Sequence, residues 1–347
     1  MRKLPNYIDD LGHGSCSHAV PVTLHDCISY GFALAADCSA LQRFVDSQLN
    51  RAASRKFRYR ALPLVLHCYL NCPKGTNVEN VGWIPDREAA FLVPVVEFRR
   101  GALPRLKVWA PYMFIDQPGA LITGRDVWGY RKALGFLDVP EDPQQAQEFS
   151  VITQVFEKFN PNCPARNVEL LKLTRSAAAT ADNSWSDTAG ARQQLLQRIA
   201  DALGGQLTEA RGDGWIGRAM RLATRVGAGV GDRMGLGLAS LLDRLLGGIP
   251  DTMTAINLKQ LRDAEDSTKA CYQALVDSPC KVDLDSGGFL GGSYELEIPH
   301  CDSHPLVKDL GLRPLASGSP ARVPTLFGFW ARMKFSGLNG KVIWESR

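Results

Sequence analysis

Toward the C-terminus, apolar and polar residues alternate with a period of two. Between 293 and 298, Tyr294, Leu296 and Ile298 fall on one side and Ser293, Glu295 and Glu297 on the other, which predicts an antiparallel strand with one wet face. Residues 327 to 335 alternate likewise, with Phe327, Phe329, Ala331, Met333 and Phe335 together. Asn339-Gly340 then predicts a turn and a terminal hairpin with Val342 to Trp344. Nearer the N-terminus, Ala61 to Tyr69 and Ala89 to Glu97 are apolar runs of strand length, in which Pro63 and Pro94 predict edges or strand starts. Leu41, Phe44, Val45 and Leu49 follow a helical period instead and predict a packing helix over 39–50.

The stretch 186–250 departs from this pattern, holding thirteen of the chain's 32 glycines and eight arginines but no lysine. Its spacing predicts helices around Leu195 to Leu203, Trp215 to Val226 and Leu236 to Leu246, so we read it as a helical insertion within a single domain of residues 1–347. Arg218, Arg221 and Arg225 share a face opposite an apolar one. Such a helix suits peripheral membrane contact through 215–246, or packing as an arm on its own protein or another subunit. The second role is the expected one. The longest uncharged run, Met234 to Leu242, has nine residues, against the ~20 that a bilayer requires. Gly227 to Gly231 is glycine-rich but follows a helical pattern and has no Walker lysine, which argues against a nucleotide loop.

Composition narrows the class. With 347 residues, 45% of them hydrophobic and 22% charged, the chain can bury a substantial core. The net charge of +4 is spread without any block of five basic residues, so nucleic-acid binding gains no support. Met1 to Asp10 has two basic residues but no apolar segment after them, which argues against a secretory signal. Nine scattered cysteines, an odd number, suit reduced thiols and a cytoplasmic location. His67-Cys68 with Cys72, and His300-Cys301 with His304, each lack a second half at metal-site spacing, and no metal is expected.

One lysine stands out. In Leu121 to Leu137, Lys132 lies among apolar and glycine neighbours. An exposed lysine ionises near ~10.4 and is a poor nucleophile, but burial or a neighbouring cation favours the free amine, which can form a Schiff base with a ketone. The segments Tyr112-Met113-Phe114-Ile115-Asp116, Gly124-Arg125-Asp126-Val127-Trp128-Gly129-Tyr130, Lys132 and Leu134-Gly135 resemble the acetoacetate decarboxylase family. The later run Tyr294 to Ile298 with His304-Pro305-Leu306 and Asp309-Leu310 is similar to that family's C-terminal strand and turn. The likeness implies an α+β fold, mainly a curved antiparallel sheet closed like a barrel or cone around the lysine, assembled as a homo-oligomer. It also implies a lyase that needs no cofactor, with Lys132 as the Schiff-base residue and a small keto acid as substrate.

The same likeness assigns the remaining site residues. Glu97, after an apolar strand, takes the place of an active-site glutamate for proton transfer, though a strand-end carboxylate paired with Arg99 or Arg100 is the alternative. The family's second lysine falls on Ala133 and its proline on Arg131, leaving Arg125 or Arg131 to supply positive charge near Lys132. Arg125 could instead anchor backbone or a carboxylate. His67 is the nearest titratable residue to the strand position where the family has another glutamate, and an N-terminal arginine has no counterpart near Cys27. His67 and Tyr130 are therefore expected in the pocket. Decarboxylation comes first among the activities. A Schiff-base aldolase-dehydratase follows, and a non-catalytic ligand-binding protein is the reading from a different class.

Overall fold

The alternating segments become strands of one closed sheet. The structure, a computed structural model, describes residues 5–8, 12–52, 56–177, 179–209, 239, 242, 243, 245 and 251–346. Its strands are β1 (Val22–Ala35), β2 (Phe57–Ala61), β3 (Leu64–Asn77), β4 (Trp83–Arg99), β5 (Arg105–Ile115), β6 (Lys132–Asp138), β7 (Glu148–Val155) and β8 (Arg166–Arg175), then β9 (Thr252–Arg262), β10 (Ala270–Leu290), β11 (Tyr294–Ile298), β12 (Ala321–Gly337) and β13 (Lys341–Glu345). Helices are α1 (Cys38–Val45), α2 (Pro118–Thr123), α3 (Thr188–Glu209) and α4 (Leu306–Asp309). The thirteen strands run β13-β10-β9-β5-β6-β7-β8-β11-β12-β1-β3-β4-β2, and further pairings of β5 with β4 and β10 with β12 close the sheet on itself. The expected α+β architecture with a curved, mainly antiparallel sheet is what forms.

Closure creates an inside, and the period of two fills it. Tyr30, Phe32, Phe91, Phe149, Tyr294 and Leu296 belong to one buried cluster. Tyr30 and Phe149 meet edge to face with centroids 4.9 Å apart, the geometry that the ring quadrupoles favour. On the opposite face of the same strands, Ala33, Leu64 and Val96 pack against Leu196, Ile199 and Leu203 of α3. The first predicted insertion helix thus shields a sheet face of its own protein. The helix expected at 215–226, with Arg218, Arg221 and Arg225, lies outside the described residues, as do Gly227 to Gly231 and most of 236–246. No helix among the described residues is long and apolar enough to cross a membrane.

Three local expectations change once strands are paired. Pro94 lies within β4 instead of at an edge: β2 pairs with β4 up to Val95 and β3 only from Leu92. The proline occupies the gap between them, where its missing N–H removes no ladder bond. Asn339-Gly340 does turn the chain, but β13 pairs with β10 and not back onto β12, because β12 is already flanked by β1 and β10. The alternation in β12 is only partial: Arg332 and Lys334 are exposed on the face opposite Met333 and Phe335, but Gly328 and Trp330 on that face are buried. Trp330 enters the main core, and Phe327 packs with the α3 cluster.

A buried charge cluster ties β4, β5 and β10 together. Lys107 Nζ donates to Glu97 Oε2 and to Asp277 Oδ1, both at 2.6 Å, and the Tyr59 hydroxyl donates to the same glutamate oxygen at 2.9 Å. Lys107 and Glu97 are only 3% and 7% exposed. Removing one partner of such a pair strands the other charge in a poor solvent, so we expect Lys107→Ala to lower stability by about 3–5 kcal/mol in urea unfolding. A loss below about 1 kcal/mol would match a solvated surface pair and contradict this assignment.

Candidate active site

The path of the chain into β6 sets the position of Lys132. At the end of β5, Asp116 Oδ1 accepts the Arg87 N–H at 3.1 Å, fastening that end to β4. Pro118 opens α2, whose fixed φ suits a first helical turn. The helix widens into a π-type turn over Gly124–Trp128 and stops at Gly129, φ +80°. A side chain at Gly129 would be strained by that φ and would also come within 2.5 Å of the Lys259 Cα. The chain then enters β6 parallel to β5, with Lys132 beside Met113. Arg125 Nη1 donates to the Lys132 carbonyl at 3.0 Å and holds this entry in place. A Cβ on Gly124 would lie 2.6 Å from Lys132 Cε, so the missing side chain is the channel through which the lysine passes.

Lys132 is 6% exposed, and its Nζ donates to Glu88 Oε1 in an ion pair. Register explains the meeting. Met113 lies beside Lys132 on one side and opposite Ala90 on the other, and Glu88 is two residues from Ala90 along β4. Another two residues along is Asp86, 4% exposed, whose Oδ1 has no hydrogen-bond partner. Burial chiefly, then the charge of Glu88, raises the Asp86 carboxyl well above the usual aspartate range, with Lys132 opposing. Asp86 is thereby biased toward its protonated form.

These three groups line a cavity of about 100 Å³, with apolar walls that include Leu24, Ile84, Met113, Trp128 and Phe335. Tyr130 also lines it, and burial raises its phenol. His18 completes one side. Its N–H donates to Thr123 Oγ1 at 2.9 Å and its carbonyl accepts from the same hydroxyl at 3.1 Å, while its buried Nε2 has no partner. The arrangement supplies an amine, a carboxylate and a second carboxyl group within a small apolar space, which suits proton transfer around a nucleophilic lysine.

Of the residues expected from sequence, Lys132 and Tyr130 are brought together at the cavity. Arg125 supports Lys132 through its backbone, the anchoring alternative. Arg131 is exposed, reaching Gln48 Oε1 at 3.4 Å and lying 6.0 Å from the Tyr112 ring centre. Two expectations are corrected. His67 is not at the cavity but wholly buried, stacked on Phe91 with centroids 4.3 Å apart, and burial pushes its imidazole down to about 3. Glu97 is held by Lys107 toward the other end of β4, and pairs with neither Lys132 nor Arg99 or Arg100. Sequence reasoning missed Asp86, Glu88 and His18. For the first two a signal exists: carboxylates at i and i+2 on a strand project to one face, and here they precede the apolar run Ala89 to Val96.

No family model matches the sequence, and neither does any curated protein. Solved structures do match. An acetoacetate decarboxylase from Legionella pneumophila subsp. pneumophila str. Philadelphia 1 superposes with a TM-score of 0.54 at 12% identity, over 99% of this chain and 92% of that one. An acetoacetate decarboxylase-like enzyme from Sphingomonas wittichii RW1 gives 0.51 at 12% identity, covering 94% of each chain. The enduracididine biosynthesis enzyme MppR, complexed with the condensation product of pyruvate and imidazole 4-carboxaldehyde, gives 0.50 at 12% identity, over 95% of this chain and 92% of that one. With superposition over more than nine-tenths of each chain, this chain has the acetoacetate decarboxylase-like fold.

Proposed function

We propose that the protein is a carbon–carbon lyase in which Lys132 forms a Schiff base with a small carbonyl compound. The observation that carries this reading is a buried lysine paired with Glu88, beside the unpartnered carboxyl of Asp86, at an apolar cavity. Passing its proton to Glu88 makes Lys132 a nucleophile. The amine adds to the carbonyl, and Asp86 is placed to protonate the carbinolamine hydroxyl as it leaves as water. The proton that Glu88 took from Lys132 then restores the Asp86 carboxyl, and Glu88, ionised again, balances the iminium charge. The iminium accepts the electron pair of the breaking carbon–carbon bond, the enamine is protonated on carbon, and water releases the product.

The names of the structural neighbours support two versions. Loss of carboxylate from a keto acid follows the decarboxylase. Aldol chemistry with dehydration follows MppR, whose bound molecule is a condensation product. A feature of this cavity favours the second: Asp86 and Glu88 face it together, and aldol cleavage or dehydration needs a group to take a proton and a group to give one.

Borohydride reduction in the presence of a carbonyl probe should leave a stable mass adduct on the wild-type chain that is absent from Lys132→Ala. An undiminished adduct in that variant, or none on folded wild type, would sink the reading. Gly124→Ala, which crowds the lysine's channel, should slow labelling about tenfold or more while the protein stays folded. Unchanged labelling would show that the channel does not set the lysine's position.

Asp86 makes a separate prediction about pH. Its folded carboxyl keeps its proton to higher pH than the unfolded one, so above the ordinary aspartate value of ~3.9 the folded state binds more protons and stability falls as pH rises toward the folded value. Asp86→Asn should flatten that fall in urea unfolding measured across pH. Parallel curves for the two proteins would contradict it.

A further inference from the structure

We propose that the compound taken by Lys132 is an uncharged ketone or aldehyde, one with no carboxylate of its own. The inference rests on the Schiff-base reading and concerns the charge of the substrate.

Charge balance is the first ground. The lining groups that carry charge among the described residues are Asp86, Glu88 and Lys132, with His18, Tyr130 and Cys280 as further titratable side chains. An iminium on Lys132 keeps one positive charge, and Glu88 answers it. An uncharged carbonyl leaves that balance intact. A keto acid adds a second negative charge to a small space already holding Glu88 and the Asp86 carboxyl, between walls too apolar to solvate it. Neither nearby arginine lines the cavity to meet that charge: Arg125 reaches the Lys132 carbonyl instead, and Arg131 is exposed.

Hydrogen bonding is the second ground. A buried carboxylate needs several donors, and three of those in the wall are already committed. Thr123 donates to the His18 carbonyl, Trp128 Nε1 to the Leu338 carbonyl at 2.9 Å, and the Cys280 thiol to the Met253 carbonyl at 3.2 Å. His18 Nε2 has no partner. One ring nitrogen matches one hydroxyl or carbonyl oxygen better than a charged group with two oxygens.

Without a carboxylate to lose, the bond that breaks is the one between Cα and Cβ of a β-hydroxy ketone. Glu88 takes the β-hydroxyl proton, that oxygen becomes the carbonyl of the departing aldehyde, and the bonding pair moves into the iminium to give a neutral enamine. Glu88 returns the proton to Cα. The water released on imine formation is matched by the one consumed in hydrolysis, so the β-hydroxy ketone becomes one ketone and one aldehyde.

Pairs of probes that differ in charge at a shared ketone test this on the full chain: pyruvate against methyl pyruvate, and acetoacetate against methyl acetoacetate. Labelling rates of Lys132 under borohydride, read by intact mass and digestion and divided by those of n-butylamine, should favour each ester by about tenfold or more. In Glu88→Gln, which removes the resident negative charge, the preference should shrink toward parity. Keto acids labelling Lys132 as fast as their esters would overturn the proposal and leave the Schiff base standing. No labelling of Lys132 by any probe would overturn both.

Discussion

A charged lysine can be held in an apolar cavity only if another group answers its charge, and the site depends on Glu88 doing so for Lys132. The pairing is a property of register across β4, β5 and β6, with Met113 between the two charged residues. A slip of one residue in either pairing would turn one of them to the opposite face. The parallel β5–β6 pairing in a mainly antiparallel sheet requires a crossover connection, which is the segment of α2, Gly124 and Gly129 that shapes the lysine's channel. Closure of the sheet and placement of the lysine are therefore one problem, solved by the same few residues.

The same strand, β4, supplies a glutamate to two buried lysines, and the contrast shows what separates structure from chemistry. Around Lys107 the acceptors are Glu97 and Asp277, and Tyr59 fills a further position on Glu97. Around Lys132 the pair opens onto a cavity, and Asp86 beside it keeps an oxygen without a partner. A satisfied cluster holds strands together. An incompletely satisfied one at a cavity has capacity left for a ligand's proton or hydroxyl.

Much of the fold was legible because it rests on local periodicity. The alternation in Tyr294 to Ile298 and the helical spacing of Leu41, Phe44, Val45 and Leu49 describe which side of one element is buried, and the structure buries those residues. Lys132 was legible as an isolated cation in an apolar, glycine-rich stretch. Its carboxylate partner was not, because the apolar run Ala89 to Val96 has an acid at each end, and only cross-strand register decides that Glu88 and not Glu97 meets Lys132. His67 failed for a related reason: titratability is visible in sequence, but its stacking on Phe91 is a tertiary contact. The final strand turned as Asn339-Gly340 implies, yet its partner β10 comes from residues more than sixty positions upstream.

The most direct test of the account is a crystal structure of the protein after borohydride reduction with a ketone that labels it. We predict continuous density from Lys132 Nζ into the cavity, with the carboxyl groups of Glu88 and Asp86 both within hydrogen-bond reach of the adduct. Density on another lysine, or an adduct on Lys132 that leaves the cavity and touches neither acid, would contradict it.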